Sequence, residues 1–386
     1  IKIFKFKILF LFIVMWAVLV ILQPITDGDL VFGRFIQLAY SLVYFLALKA
    51  LLNKRILSTK IVQLLIFWSI YISVVNLIHS FNSPLSYLET MKDTLWWPSV
   101  FVIFYDALSR TEISNCILYI RKYFLAYFIL VLSLLIYLII FFSGNTDISS
   151  GVVNQNEINS VYWLLLILPF CFYLKPFYKY SLFFIGFVMI IISSKRSPLV
   201  AFGFILMFSL YRDYFTMNVK SILIVPLSFV IILFTLNSIS DNISINSSER
   251  LMTTDIKSEP RAIFIAESVE ILSTKGPLNL TFGSGHRSTA IDRGREMSKT
   301  THNDFFETLY CYGVVGLIFY LYLITYLIKR LKFLRKNDEI YHDAHVSALI
   351  ILFVISNLSH LNMYPTYFAF LVIVWAITES KISTYK

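Results

Sequence analysis

Apolar runs long enough to cross a lipid bilayer recur along this chain, and they constrain its fold more than any other feature. A helical span needs about 20 predominantly apolar residues. Such runs fall at 8–22, 31–52, 61–79, 94–109, 123–142, 157–174, 177–193, 197–211, 220–237, 303–328, 346–361 and 363–379, about twelve in all. They are continuous rather than alternating, which excludes a β-barrel. They also lack the polar faces that helices of a soluble globule need. The chain is 58% hydrophobic and 15% charged, against about 45–50% and about 25% in soluble domains. Soluble enzymes and secreted scaffolds are excluded on that ground. Pro98 interrupts the run 94–109, and the runs 177–193 and 197–211 lie close together. The last two runs, split near Asn362, also read as one kinked element.

Charge orients these spans. Lys2, Lys5 and Lys7 precede the first run, and no small-residue cleavage site follows it. That run therefore reads as an uncleaved membrane helix. Counted from a cytoplasmic start, alternate links hold Lys54, Arg55 and Lys60, then Arg110, Arg121 and Lys122, then Lys175 and Lys179. Arg212 and Lys220 follow, and finally Lys329, Arg330, Lys332, Arg335 and Lys336. The links at 23–30 and 143–156 have no Lys or Arg. Lys and Arg accumulate in cytoplasmic loops, so both termini are expected in the cytoplasm. The net charge of +10 is then topology, and nucleic acid is not an expected partner. The expected fold is one all-α, polytopic membrane domain over 1–386, with about 12 transmembrane helices. A polar external loop at 238–302, between the ninth and tenth, carries eight basic and eight acidic residues. Its stretch Arg261–Leu272, opened by Pro260, has an amphipathic helical pattern. Three cysteines, Cys116, Cys171 and Cys311, show neither zinc nor disulfide spacing.

Few residues depart from this plan. Lys195 and Arg196 sit side by side in a tight external turn, Ser193-Ser194-Lys195-Arg196-Ser197-Pro198, where topology predicts few basic groups. They read either as a snorkelling pair at headgroup level or as an anion site. There the arginine offers a fixed fork and the lysine a point charge. His302 falls where the long loop enters the tenth span, with Asn303 beside it and Glu307 a turn deeper. A histidine there serves as acid or base near neutral pH, and an ionisable group inside an apolar helix tends to be functional. The plainer reading is a helix capped by Thr300 or Thr301 with a solvated histidine. Arg250, Arg261 and Arg287 are further anion-binding candidates in the loop, where a mixed solvated surface is the default. Asp27-Gly28-Asp29 reads as an ordinary turn or as a carboxylate pair for a divalent metal. Arg34 and Asp106 are the charges within spans that transport chemistry would use, and both also read as residues near a helix end.

Three blocks together resemble the bacterial O-antigen polymerase and O-antigen ligase superfamily, most densely over residues 190–320. They are the Ser-Lys-Arg-Ser turn, the loop arginines followed by Gly283-Ser284-Gly285, and His302-Asn303-Asp304-Phe305-Phe306-Glu307 with Tyr312-Gly313-Val314-Val315-Gly316-Leu317. The resemblance is strongest to a polymerase. It implies a C-type-like membrane glycosyltransferase that needs no metal or other cofactor. The implied donor is an undecaprenyl-pyrophosphate-linked oligosaccharide. The implied place is the outer face of the bacterial inner membrane, with membrane lipid and a chain-length regulator protein as partners. It implies catalytic roles for His302, Arg261 and Arg196. Substrate-binding roles fall to Arg250, Lys195, Arg287, Asn303 and Glu307. A ligase or exopolysaccharide polymerase of the same family, and a lipid-linked oligosaccharide flippase, are the alternatives.

Overall fold

The computed structural model describes residues 2–22, 30–80, 87–109, 112–142, 161–192, 196–214, 260–294, 301–359 and 365–385. Among them every regular element is helical. The first six helices are α1 (Lys2–Leu22), α2 (Leu30–Leu51), α3 (Lys54–Leu57), α4 (Lys60–Ser80), α5 (Tyr87–Ser109) and α6 (Ile113–Phe142). Then come α7 (Val161–Ile167), α8 (Pro176–Ile192) and α9 (Arg196–Tyr214). The segment after 259 supplies α10 (Pro260–Thr274), α11 (Pro277–Phe282) and α12 (Ser288–Asp292). The chain ends in α13 (Asp304–Asn337), α14 (Glu339–Leu358) and α15 (Pro365–Ser383).

Each predicted apolar run except 220–237, which lies outside the described residues, falls on one of these helices. The run at 157–174 is α7 continued by a 3-10 turn, Leu168–Tyr173, in which Pro169 occupies the first positions. Proline lacks the N–H that would carry the α ladder onward. Pro98, in contrast, does not end α5, which is continuous and buried around it. Neighbouring helices make an internal proline tolerable in a membrane. Four stretches among the described residues are long and apolar enough to cross a bilayer: Lys60–His79, Ile113–Leu134, Asp304–Asn337 and Glu339–Leu358. The chain is a multi-pass helical membrane protein.

The core is built on α5 and α15, which lie side by side. Phe368 to Ile377 of α15 is buried on every face, the signature of a helix surrounded by others. Trp97 meets Phe368 edge-on at 4.8 Å, and Trp16 of α1 packs on Trp96 with the rings tilted by 36° and 4.3 Å apart. Large apolar side chains face outward elsewhere, among them Leu38, Phe45, Leu48, Phe67, Phe184 and Ile318. A patch of that extent is covered by lipid rather than water.

One end of the bundle gathers the basic links. Lys5 pairs with buried Asp106 at 2.5 Å, and Asn53 reaches the same carboxylate at 3.3 Å. Arg121 donates to the Tyr173 carbonyl. Arg212 pairs with Glu339 and Asp343 at 3.1 and 3.2 Å. Arg330 holds Glu379 at 2.7 Å, and Lys381 holds Asp338 at 3.4 Å. Asp106 is therefore a structural ion pair at a helix end, not a transport group in mid-span. The side chain of Arg34 lies outside the described residues.

Candidate functional site

The opposite end of the bundle is sealed by the segment 260–294. The helix expected over Arg261–Leu272 forms as α10, with Pro260 at its first position, where a missing N–H costs nothing. After α11 the chain crosses the beginning of α13. Ser284 N donates to the Tyr310 carbonyl at 3.1 Å, and Gly285 N to the Cys311 carbonyl at 2.9 Å. Those carbonyls are open to the crossing because α13 breaks at Gly313, with φ 66° and ψ −173°. The two backbones touch. A Cβ on Gly283 would stand 2.2 Å from the Cys311 oxygen, and one on Gly313 2.2 Å from the Thr281 oxygen. Tyr71 of α4 closes the junction, its hydroxyl 2.6 Å from the Tyr312 carbonyl and 3.1 Å from that of Phe282.

Beside this crossing lies a cavity of about 330 Å³. Asn76 and His79 of α4, Thr90 of α5, and Lys275, His286 and Asp292 of the crossing segment line it. His286 is anchored on three sides. Its backbone N–H donates to Asn76 Oδ1 at 3.0 Å, Nδ1 lies 3.3 Å from the Tyr312 hydroxyl, and Nε2 lies 3.5 Å from Asp93 Oδ2. Arg287 binds the same Asp93 oxygen at 3.1 Å. Asp93 precedes the apolar run of α5. Burial opposes its charge, but the hydrogen bond and charge of His286, with the charges of Arg287 and Lys92, hold the carboxyl below its ordinary range. Lys275 lies 4.4 Å over the Tyr310 ring and 2.5 Å from both Ser284 Oγ and Asp292. The Tyr310 hydroxyl donates to Asp292 at 2.9 Å. Among the described residues no three His, Cys, Asp or Glu side chains gather as metal ligands.

His302 stands at the start of α13 and is half-buried. With Arg287 it is one of two described non-glycine residues at positive φ, 55° and 57°. Such backbone is sparsely populated and clusters at functional sites. Its neighbours hold it there. Glu307, fully buried, accepts from Thr301 N at 2.6 Å, from the Thr301 hydroxyl at 2.7 Å and from the Thr289 hydroxyl at 2.8 Å. Asn303, rather than Thr300 or Thr301, caps the helix: its Oδ1 accepts from Phe306 N at 2.9 Å. Asn303 Nδ2 also reaches the Asn357 carbonyl at 3.4 Å, while the Ser197 hydroxyl donates to the next carbonyl, Leu358, at 3.1 Å. The C-terminus of α14 thus lies between the start of α9, where Arg196 sits, and His302.

Of the residues singled out in the sequence, Arg287, His302, Asn303 and Glu307 fall at this end. Arg287 is held by Asp93, and Asn303 and Glu307 shape the backbone around His302. Arg196 and Arg261 open α9 and α10, but their side chains lie outside the described residues. Lys195, Arg250, Asp27 and Asp29 lie outside them altogether. Sequence reasoning missed Asn76, His79, Asp93, Lys275 and His286. One signal was available: His79 and Asp93 are ionisable residues at the facing ends of two apolar runs.

Glu307→Ala strands three buried donors, each costing about 1–3 kcal/mol when unpaired. It is expected to lower the melting temperature in detergent and to cut activity, whereas Glu307→Gln keeps the shape and one acceptor and loses less. Equal melting temperatures for the wild type and the Ala variant would contradict the clamp.

The fold and this site define a polytopic helical membrane protein with a polar chamber at the end opposite its basic links. Residues 181–321, which include α9, the crossing segment and the start of α13, match the family model described as O-antigen ligase. The match supports the chain's place in the O-antigen polymerase and ligase superfamily, which comprises glycosyltransferase-like enzymes. No curated protein compared with the chain matches it.

Proposed function

We propose that the protein is an O-antigen, or related surface-polysaccharide, polymerase. It transfers the growing glycan from an undecaprenyl pyrophosphate carrier to a hydroxyl of a second carrier-linked repeat unit. The observation that supports glycan transfer is the family match over 181–321, the stretch that contains Arg196, Arg261 and His302; the choice of polymerase over ligase rests on the sequence resemblance. The membrane is the bacterial inner membrane. The basic end faces the cytoplasm, as the accumulation of Lys and Arg there supports, with both termini on that side and twelve spans in all. The chamber then opens on the outer face. A chain-length regulator protein is the partner expected beside the lipid-linked substrate.

In the reaction the acceptor oxygen bonds to the anomeric carbon as the bond from that carbon to the phosphate oxygen breaks. Negative charge grows on the departing lipid pyrophosphate. Guanidinium groups fixed near it stabilise that charge, the role given to Arg196 and Arg261, with Arg250 and Lys195 assisting. His302 orients the acceptor hydroxyl and takes its proton. Undecaprenyl tails lie against the apolar side chains that face outward.

The test is reconstitution of the purified protein with carrier-linked repeat units, with and without lipid A core. A ladder of products without the core is expected. Product only in its presence would make the protein a ligase, and no product in either case would overturn the assignment to glycan transfer.

A further inference from the structure

We propose that the cavity between α4, α5 and the crossing segment is a saccharide subsite, holding one sugar ring of the glycan through its hydroxyls and leaving the pyrophosphate to other groups. The inference rests on the glycan-transfer reading above and adds what this particular cavity binds. Its volume of about 330 Å³ is at the small end of ligand pockets, roughly 300–1,000 Å³.

The charge balance argues against a phosphate. The cation lining the cavity, Lys275, already has Asp292 at 2.5 Å. Arg287, behind the wall, already has Asp93 at 3.1 Å. An entering dianion would meet carboxylates along with these cations. A sugar hydroxyl both donates and accepts, and the lining offers both: the amide of Asn279, the His79 imidazole, the Ser284 hydroxyl and the Asp292 carboxylate.

The wall is pre-organised. The Asn76 amide is fixed by its oxygen, which accepts from His286 N at 3.0 Å, and by its contact with the Tyr312 hydroxyl. His79 is seated against bare backbone: a Cβ on Gly285 would stand 2.8 Å from the His79 Cβ. Its imidazole is thereby pre-positioned.

The subsite is coupled to His302. Ser288 lines the cavity, and the next residue, Thr289, binds Glu307, which binds Thr301 beside His302. The wall that would hold the sugar and the backbone beside His302 are thereby tied to one buried carboxylate.

The probe is the free repeat oligosaccharide, cut from its carrier, titrated into the full-length protein in nanodiscs and followed by saturation-transfer NMR. His79→Ala is expected to weaken its binding about five- to ten-fold, the worth of one good hydrogen bond. The same variant should raise the half-saturating acceptor concentration by that factor and leave the maximal rate within about two-fold. Asn279→Trp, a change at a half-exposed position that fills the cavity, should abolish the signal while the protein remains monodisperse. Inorganic pyrophosphate should not displace the sugar. Unchanged sugar binding in both variants, or displacement by pyrophosphate, would overturn the subsite even if the wild type polymerises. Sugar binding lost in the variants, from a wild type that forms no polymer, would uphold the subsite and overturn the transfer reading.

Discussion

Cells carrying His302→Ala are expected to make no polymer, although the protein inserts and accumulates as the wild type does. The size of the effect follows from the role. A positioned acid or base contributes typically about 10²–10⁴-fold to rate, and polymer length compounds the loss over every addition. The backbone at His302 has φ 55°, so alanine adds strain of its own at a left-handed position. Asn tolerates that conformation better. His302→Asn therefore separates the two causes: it retains the turn and removes the base. Both variants should fail equally in reconstitution with carrier-linked repeats, and only alanine should lower the melting temperature. Arg261→Ala should fail in the same assay by about 10²–10³-fold, the usual worth of one group stabilising developing charge. Wild-type chain lengths from any of these well-expressed variants would remove the residue from the mechanism.

Gly313→Ala and Gly283→Ala are expected to be the most damaging substitutions for the fold. Each glycine has positive φ, 66° and 92°, with ψ near 180°, a region other residues scarcely enter. That strain alone costs about 1–3 kcal/mol. The added methyl then meets backbone at 2.2 Å on the opposing segment, and neither segment has a flexible side chain that could yield. Relief requires the crossing to part, which also breaks the bonds from Ser284 and Gly285. Size-exclusion profiles and protease sensitivity of residues 260–294 measure this directly. A monodisperse, protease-resistant Gly313→Ala protein would show that the close approach is not needed. By contrast Gly294, also at positive φ, has open space where its Cβ would be, so it faces strain without collision.

The helices were legible because a bilayer imposes their length and apolarity on the sequence. Their starts at Lys60, Pro176 and Arg196 sit within a few residues of the predicted runs for that reason. The 3-10 turn after α7 was not legible, since the run 157–174 is as apolar as a full helix and only Pro169 marks the change. The glycines were noticed as a motif, but their purpose was not: two segments that meet backbone to backbone leave no side-chain pattern to read. The same holds for Glu307, whose depth marked it as important while its partners, Thr289 and Thr301, look ordinary in sequence. Asp93 and His286 were missed because the pair spans 193 positions of chain, and nothing local to either announces the other.

The burial of α15 bears on the order in which the molecule is made. Phe368 through Ile377 is enclosed on every side, mainly by α5, with α7 and α14 adjoining. All of these leave the ribosome before α15 does. Until α15 arrives, Trp97 and the apolar ridge of α5 have only lipid or a temporary chaperone to rest against. Enclosure of α15 therefore follows the synthesis of every helix that surrounds it. A chain halted before Phe368 would present a long unfilled groove to the membrane quality-control proteases.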